Sequence, residues 1–111
     1  MAFGFGRSTH NEIGPQALEA MLRDGSAVVV DVREPDEFAG GHIPGAINMP
    51  LSGFQPSQLP TIEGKKLILN CQGGKRSGMA LEKCGVAQAA VDTHLAGGFA
   101  AWAAARLPVE R

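Results

Sequence analysis

The sequence predicts an α/β fold built on a mainly parallel sheet. Two apolar runs, Ala27-Val28-Val29-Val30 and Leu67-Ile68-Leu69, show no polar alternation. That is the mark of strands buried on both faces. Between and after them lie stretches with apolar residues at helical spacing, so strands alternate with helices. At 111 residues the chain is one domain. A domain near this size buries about two-thirds of its unfolded surface, enough for one core.

In chain order, residues 1 to 8 are glycine-rich, and a flexible N-terminus is expected there, with the folded domain over 9–111. Thr9 to Ile13 reads as a short first strand. Gly14-Pro15 breaks it, and Pro15 suits the first turn of a helix. Leu18, Met21 and Leu22 recur at helical spacing until Gly25 stops that helix. The Ala27 run ends at Asp31, and Glu34 to Ala39 reads as a short helix with Pro35 in its first turn, ended by Gly40-Gly41. His42 to Gly45 is a turn, and Ala46 to Met49 a third strand before Pro50. Leu51 to Pro60 is polar and holds Pro56 and Pro60, so it reads as loop with room for a short helix. Lys65-Lys66 is a solvated entry to the Leu67 strand. A helix is expected from about Ser77, with Ala80, Leu81 and Cys84 on one face; it stops at Gly85 or runs past it toward Val91. Thr93-His94-Leu95 reads as a last strand. Phe99, Trp102 and Leu107, after Gly97-Gly98, mark a closing helix and tail, with Phe99 and Trp102 in the core. There is no internal repeat or low-complexity tract.

Composition excludes several function classes. A net charge of −1 gives no global field to recruit nucleic acid or an acidic membrane. Aromatics are 5% with no tyrosine, too few for a base-stacking platform. Two cysteines thirteen positions apart make neither a disulfide framework nor a zinc ribbon, and they suit a reducing compartment. No apolar run reaches membrane-spanning length, and the first residues carry no long apolar stretch of a signal peptide. The cytoplasm is the expected location.

The chemistry concentrates at Cys71-Gln72-Gly73-Gly74-Lys75-Arg76-Ser77. A buried strand delivers Cys71 to its carboxyl end, the edge where open parallel sheets place their sites. A free thiol titrates near 8.5, yet the thiolate is the nucleophile. Lys75 and Arg76 supply positive charge, and the following helix turns the positive end of its dipole toward the sulfur. Gly73 and Gly74 can take left-handed conformations that converge backbone N–H groups on one point. The competing reading is a packing cysteine beside a surface loop. The Gly-Gly-Lys-Arg-Ser sequel favours the nucleophile. A nucleotide-binding P-loop is excluded, because Arg76 stands where serine or threonine is needed and the upstream glycine is missing.

That loop resembles the active-site loop of the rhodanese family of sulfurtransferases. Two more stretches agree. Asp31-Val32-Arg33-Glu34-Pro35-Asp36-Glu37-Phe38 through Gly41-His42-Ile43-Pro44-Gly45-Ala46-Ile47-Asn48 resembles the family's upstream motif. Leu95-Ala96-Gly97-Gly98-Phe99-Ala100-Ala101-Trp102 through Leu107-Pro108-Val109 resembles its C-terminal one. The resemblance implies a single rhodanese-like domain, with a five-stranded, mainly parallel sheet flanked by helices on both faces. It implies that Cys71 is the catalytic nucleophile, that Gln72, Gly73, Gly74, Lys75, Arg76 and Ser77 bind substrate, and that Asp31 and Arg33 brace the loop. Cys71 would take the outer sulfur of thiosulfate, or a similar anionic donor, as a persulfide and pass it to a thiol or cyanide. Lys75 and Arg76 would attract the dianion and steady departing sulfite, which fits thiosulfate better than a neutral donor such as mercaptopyruvate. Members with Gly-Lys-Arg here suggest glutathione or a similar small thiol as acceptor. The alternative is a carrier or docking module that exchanges sulfur with a protein partner and turns over no small molecule. Four residues separate Cys71 from Arg76, where phosphatases and arsenate reductases of similar fold have five. The shorter loop suits a sulfane sulfur better than a tetrahedral oxyanion. No cofactor is called for.

Other polar residues have quieter expected roles. Glu37 is expected to pair with Arg33, since sulfur transfer to a good leaving group needs no strong general acid. His42 or His94 with Cys71 and an aspartate could form a hydrolase-like set, but structural hydrogen bonds are the commoner use. His10, His42 and His94 lack metal-ligand spacing, so no metal is expected. Cys84 is expected in the core; a resolving thiol is the alternative, though two helical turns, roughly 10 Å, keep it from a direct bond to Cys71. Arg106 stands where the family usually has a glycine that ends the helix left-handed.

Overall fold

The structure is a computed structural model that describes residues 10–111. The flexible segment expected at 1–8, and Thr9, lie outside the described residues. Five parallel strands form one sheet in the order β1-β5-β4-β2-β3. In chain order the elements are β1 (Asn11–Ile13), α1 (Pro15–Asp24), β2 (Ala27–Asp31), α2 (Pro35–Ala39), β3 (Ile47–Asn48), β4 (Lys66–Asn70), α3 (Lys75–Val86), β5 (Thr93–Leu95) and α4 (Gly98–Ala104). The polar stretch after Pro50 forms two 3-10 turns, Leu51–Gly53 and Pro56–Gln58.

Period-2 alternation sends side chains of β2 and β4 to two separate cores. Val30, Leu67 and Leu69 point to one face and meet Ala80, Leu81 and Cys84 of α3. Ala27, Val29 and Ile68 point to the other and meet Leu18 of α1 and Trp102 of α4. Helices therefore cover both faces, and both strands read as unbroken apolar runs. No helix among the described residues is long and apolar enough to cross a membrane.

Strand order fixes where a site can form. From β2 the chain moves outward to β3, then returns so that β4 lies on the other side of β2, with β5 beyond it. The direction reverses between β2 and β4, and the crevice at their carboxyl ends is the topological switch point. Asp31 of β2 and Asn70 of β4 are register partners there. The residues that follow, Arg33 and Cys71, are thus delivered to one place.

One helix boundary differs from the sequence reading, and another that it left open is fixed by the structure. α3 begins at Lys75 rather than Ser77, because Gly74 takes φ 106° and acts as its N-cap. It also runs through Gly85 and ends at Val86, with Gln88 turning the chain at φ 59°. Arg106 adopts φ 60°, so the left-handed close of α4 is kept without a glycine. The Arg106 N–H donates to Ala103 O and the Leu107 N–H to Trp102 O, the bonding pattern of a Schellman cap.

Candidate functional site

Cys71 leaves β4 with its side chain buried, 1% exposed, beneath the loop that follows. The Gly74 N–H donates to its Sγ at 3.0 Å, and the Ser77 hydroxyl lies 3.5 Å away. Burial would push this thiol up. The Ser77 hydroxyl and the backbone N–H groups of Ser77, Gly74 and Gly73 outweigh it, and the thiol titrates below its ordinary value. The leading stabilisers of a thiolate are thus hydrogen bonds, ahead of the two cations. Gly74 takes the left-handed backbone expected of the glycine pair; Gly73 is not among the positive-φ residues.

Lys75 and Arg76 both sit in the first turn of α3. Lys75 is exposed and forms no ion pair among the described residues. Arg76 does not share that freedom. Its guanidinium makes a fork to Glu37, Nη1 to Oε1 at 2.8 Å and Nη2 to Oε2 at 2.9 Å. This corrects the expectation that Glu37 pairs with Arg33. Glu37 is the third residue of α2 and closes a capping box, its Oε1 accepting the Glu34 N–H at 2.9 Å. That anchor turns its carboxylate toward α3. Bonded to Arg76 and to the Glu34 N–H, it is held down at about 2.

Arg33 is turned inward by Asp31 instead. Asp31 is wholly buried and accepts from Arg33 Nε and Nη2 and from the Arg33 backbone N–H. Nη2 also donates to Gly41 O at 2.7 Å, and the guanidinium stacks 4.4 Å over the Phe99 ring. Its Nη1 lies 3.4 Å from Gln72 Oε1, a long contact that ties the pair to the loop. Asp31 and Arg33 thus form a buried strut below the loop.

A second support comes from α4. The Phe99 N–H donates to Cys71 O at 2.7 Å and the Ala100 N–H to Gln72 O at 3.0 Å. Gly98, at φ 64°, lies so close that a Cβ there would stand 2.5 Å from Cys71 O. Sequence reasoning placed Gly98 only in a motif; the clue was the glycine pair before Phe99. His94 was weighed as structural. It lies buried on β5 with Nδ1 2.7 Å from Ser77 Oγ, beneath Cys71. His42 is structural, its Nδ1 bonded to Phe38 O at 2.8 Å and its ring stacked on Phe38. Cys84 is a buried free thiol in the α3-side core, and burial pushes it up.

The loop thus joins Cys71, Gly74 and Ser77 in one hydrogen-bonded set, with Lys75 outside it and Arg76 bound to Glu37. Such an arrangement can hold a sulfur anion on Cys71.

The chain is similar to known proteins of one family. A family model described as a rhodanese-like domain matches residues 14–105. An uncharacterised protein of Synechocystis is 45% identical over 100 residues, covering 90% of this chain and 56% of that protein. A sulfurtransferase of Allochromatium vinosum is 34% identical over 105 residues, covering 89% of this chain and 94% of its own. Among solved structures, a rhodanese-related protein of Thermoplasma volcanium superposes with a TM-score of 0.76 at 29% identity, covering 91% of this chain and 98% of that one. This chain therefore spans little more than half the length of the Synechocystis relative and nearly all of the Allochromatium one. The loop, its two supports and these likenesses lead to one assignment: the chain belongs to the rhodanese-like domain family.

Proposed function

We propose that residues 9–111 act as a cytoplasmic thiosulfate sulfurtransferase. The observation that carries the reading is the Cys71 thiol, lowered by the Gly74 N–H at 3.0 Å and the Ser77 hydroxyl, in a loop with four residues before Arg76.

In the first half-reaction the Cys71 thiolate attacks the outer sulfur of thiosulfate. The S–S bond of the donor breaks and sulfite leaves with the electron pair. The sulfur stays on Cys71 as a persulfide anion, held by the N–H groups that lowered the thiol. In the second half, cyanide or a thiolate attacks the outer sulfur, and Cys71 thiolate is restored. Two separable halves give ping-pong kinetics. Lys75, exposed and in no ion pair among the described residues, attracts the dianion, while Arg76 shares its charge with Glu37. Gln72, Gly73, Gly74 and Ser77 line the sulfur; Asp31 and Arg33 hold the loop in register.

Cys71→Ser is expected to abolish thiocyanate formation from thiosulfate and cyanide; an undiminished rate would end the proposal. Intact-mass measurement after thiosulfate treatment separates turnover from docking. A gain of one sulfur, about 32 Da, reversed by thiol, supports a competent site. An unchanged mass favours a module that binds a partner without accepting sulfur from this donor.

A further inference from the structure

Ser77 Oγ has three neighbours within reach and one proton to give. Cys71 Sγ lies at 3.5 Å, Gly74 O at 3.2 Å and His94 Nδ1 at 2.7 Å. Ser77 is wholly buried and His94 is 5% exposed, so no bulk water competes freely for these atoms. The far side of the imidazole favours one tautomer. His94 Nε2 lies 3.4 Å from Glu12 Oε2, its register partner on β1. A carboxylate can only accept, so this neighbour favours the neutral tautomer with its hydrogen on Nε2 and Nδ1 bare. The Ser77 hydroxyl then donates to Nδ1, the shortest of its contacts, and its lone pair faces the Cys71 S–H.

We propose that His94 draws the Cys71 thiol proton through Ser77, making His94 a positioning residue for the nucleophile. The S–H proton passes to Ser77 Oγ while the Ser77 proton passes to Nδ1. The products are a thiolate, a hydroxyl whose O–H now points at sulfur, and an imidazolium whose Nε2–H faces Glu12. No electrons are exchanged, and the path reverses when the thiol is restored. The inference rests on the reading of Cys71 as the nucleophile.

The groups around the ring keep it neutral in the resting thiol state, with the Glu12 carboxylate placed to offset the charge when it takes a proton. Burial lowers His94 below its ordinary value, Glu12 raises it and His10 lowers it. The His10 ring stands edge-on with centroids 6.2 Å apart. On the α3 side the ring meets Gly78, where a Cβ would touch Cε1 at 3.9 Å. Among the described residues, Glu12 on β1 and His10 just before it face the ring from one side, and Ser77 and Gly78 of α3 from the other.

The test is the pH profile of Cys71 alkylation by iodoacetamide from about pH 5 to about pH 10, read at the Cys71 peptide by mass spectrometry. His94→Asn sets an amide where Nδ1 was; it keeps a bond to Ser77 but takes no proton. Its alkylation midpoint is expected to rise by about one unit, with the rate near neutral pH falling about tenfold and the high-pH plateau unchanged. Ser77→Ala should raise the midpoint similarly, and the double variant no further. Glu12→Gln, at an exposed carboxylate that cannot unfold the core, should give a smaller rise in the same direction. If the His94→Asn and Glu12→Gln profiles both superimpose on the parent, the relay is overturned. The sulfurtransferase reading is tested apart, by thiosulfate treatment at about pH 9.5, where the thiol ionises without help. A persulfide forming there in parent and His94→Asn alike supports that reading whatever the midpoints show. No persulfide in the parent at any pH sinks it, while the alkylation midpoints still decide the relay.

Discussion

Glu37 grips Arg76 through two parallel hydrogen bonds, 2.8 and 2.9 Å, from one helix to the next. One of the loop's two cations is thus already neutralised by the protein itself. Cations in the first turn of a helix oppose its dipole. Placing Lys75 and Arg76 there makes sense where an anion is to be held, and Glu37 limits the self-repulsion.

Glu37→Gln removes that neutralisation. It should lower the KM for thiosulfate about threefold at low salt, an effect that disappears at about 1 M salt, where the Debye length is roughly 3 Å. Lys75→Gln should raise that KM by more than Arg76→Gln does. A neutral donor should feel neither change. Equal effects on both donors would show that the charges act on the fold and not on the substrate.

The same pair sets an acid limit. Glu37 is held at about 2, below its ordinary 4.5, first by the Arg76 hydrogen bond and then by the Glu34 N–H. Between those values the unfolded chain binds the proton more readily, so stability rises with pH across this window. The contribution is complete above about pH 4.5 and lost as pH falls toward 2. Solvent screening keeps it small, because the carboxylate is a third exposed. Denaturant melts of the parent and Glu37→Gln should differ at neutral pH and converge near pH 2; a constant gap would refute the assignment.

Much of this was legible in the chain. The unbroken runs at Val28 to Val30 and Leu67 to Leu69 announced strands covered on both faces, and Cys71 stood where a switch-point crevice would be. Side-chain pairing was less legible. Glu37 was expected on Arg33; Asp31, two residues before Arg33, captured it instead, and the capping box aimed Glu37 at α3. The His94 contact was hidden because β5 and α3 meet only in three dimensions. The start of α3 was misread by two residues because Lys75 and Arg76 look like loop, while Gly74 alone could cap at φ 106°.

Gly98→Ala tests the α4 support. A Cβ would stand 2.5 Å from Cys71 O and 2.6 Å from the Gln72 carbonyl, both backbone atoms that cannot swing aside. Overpacking of this kind costs about 2 kcal/mol, and with the left-handed backbone the Tm should fall by about 10 °C. Sulfur transfer should fall further than stability explains, since the shift moves the Cys71 peptide itself. A variant with unchanged Tm and rate would mean that α4 yields without disturbing the loop.

Arg106→Gly makes the opposite test at the other end of α4. Arg106 holds φ 60° in a Schellman cap whose Leu107 and Trp102 share one core. A left-handed non-glycine residue costs about 1–2 kcal/mol. Glycine removes that cost but adds about 0.5–1 kcal/mol of unfolded-state entropy. The balance is a gain of about 0.5 kcal/mol, or about 2 °C in Tm. Kinetics of sulfur transfer should not move, because the cap bonds only Ala103 and Trp102 and leaves Gly98 and Phe99 in place. A lower Tm would mean that the arginine side chain itself stabilises this turn by more than its backbone costs.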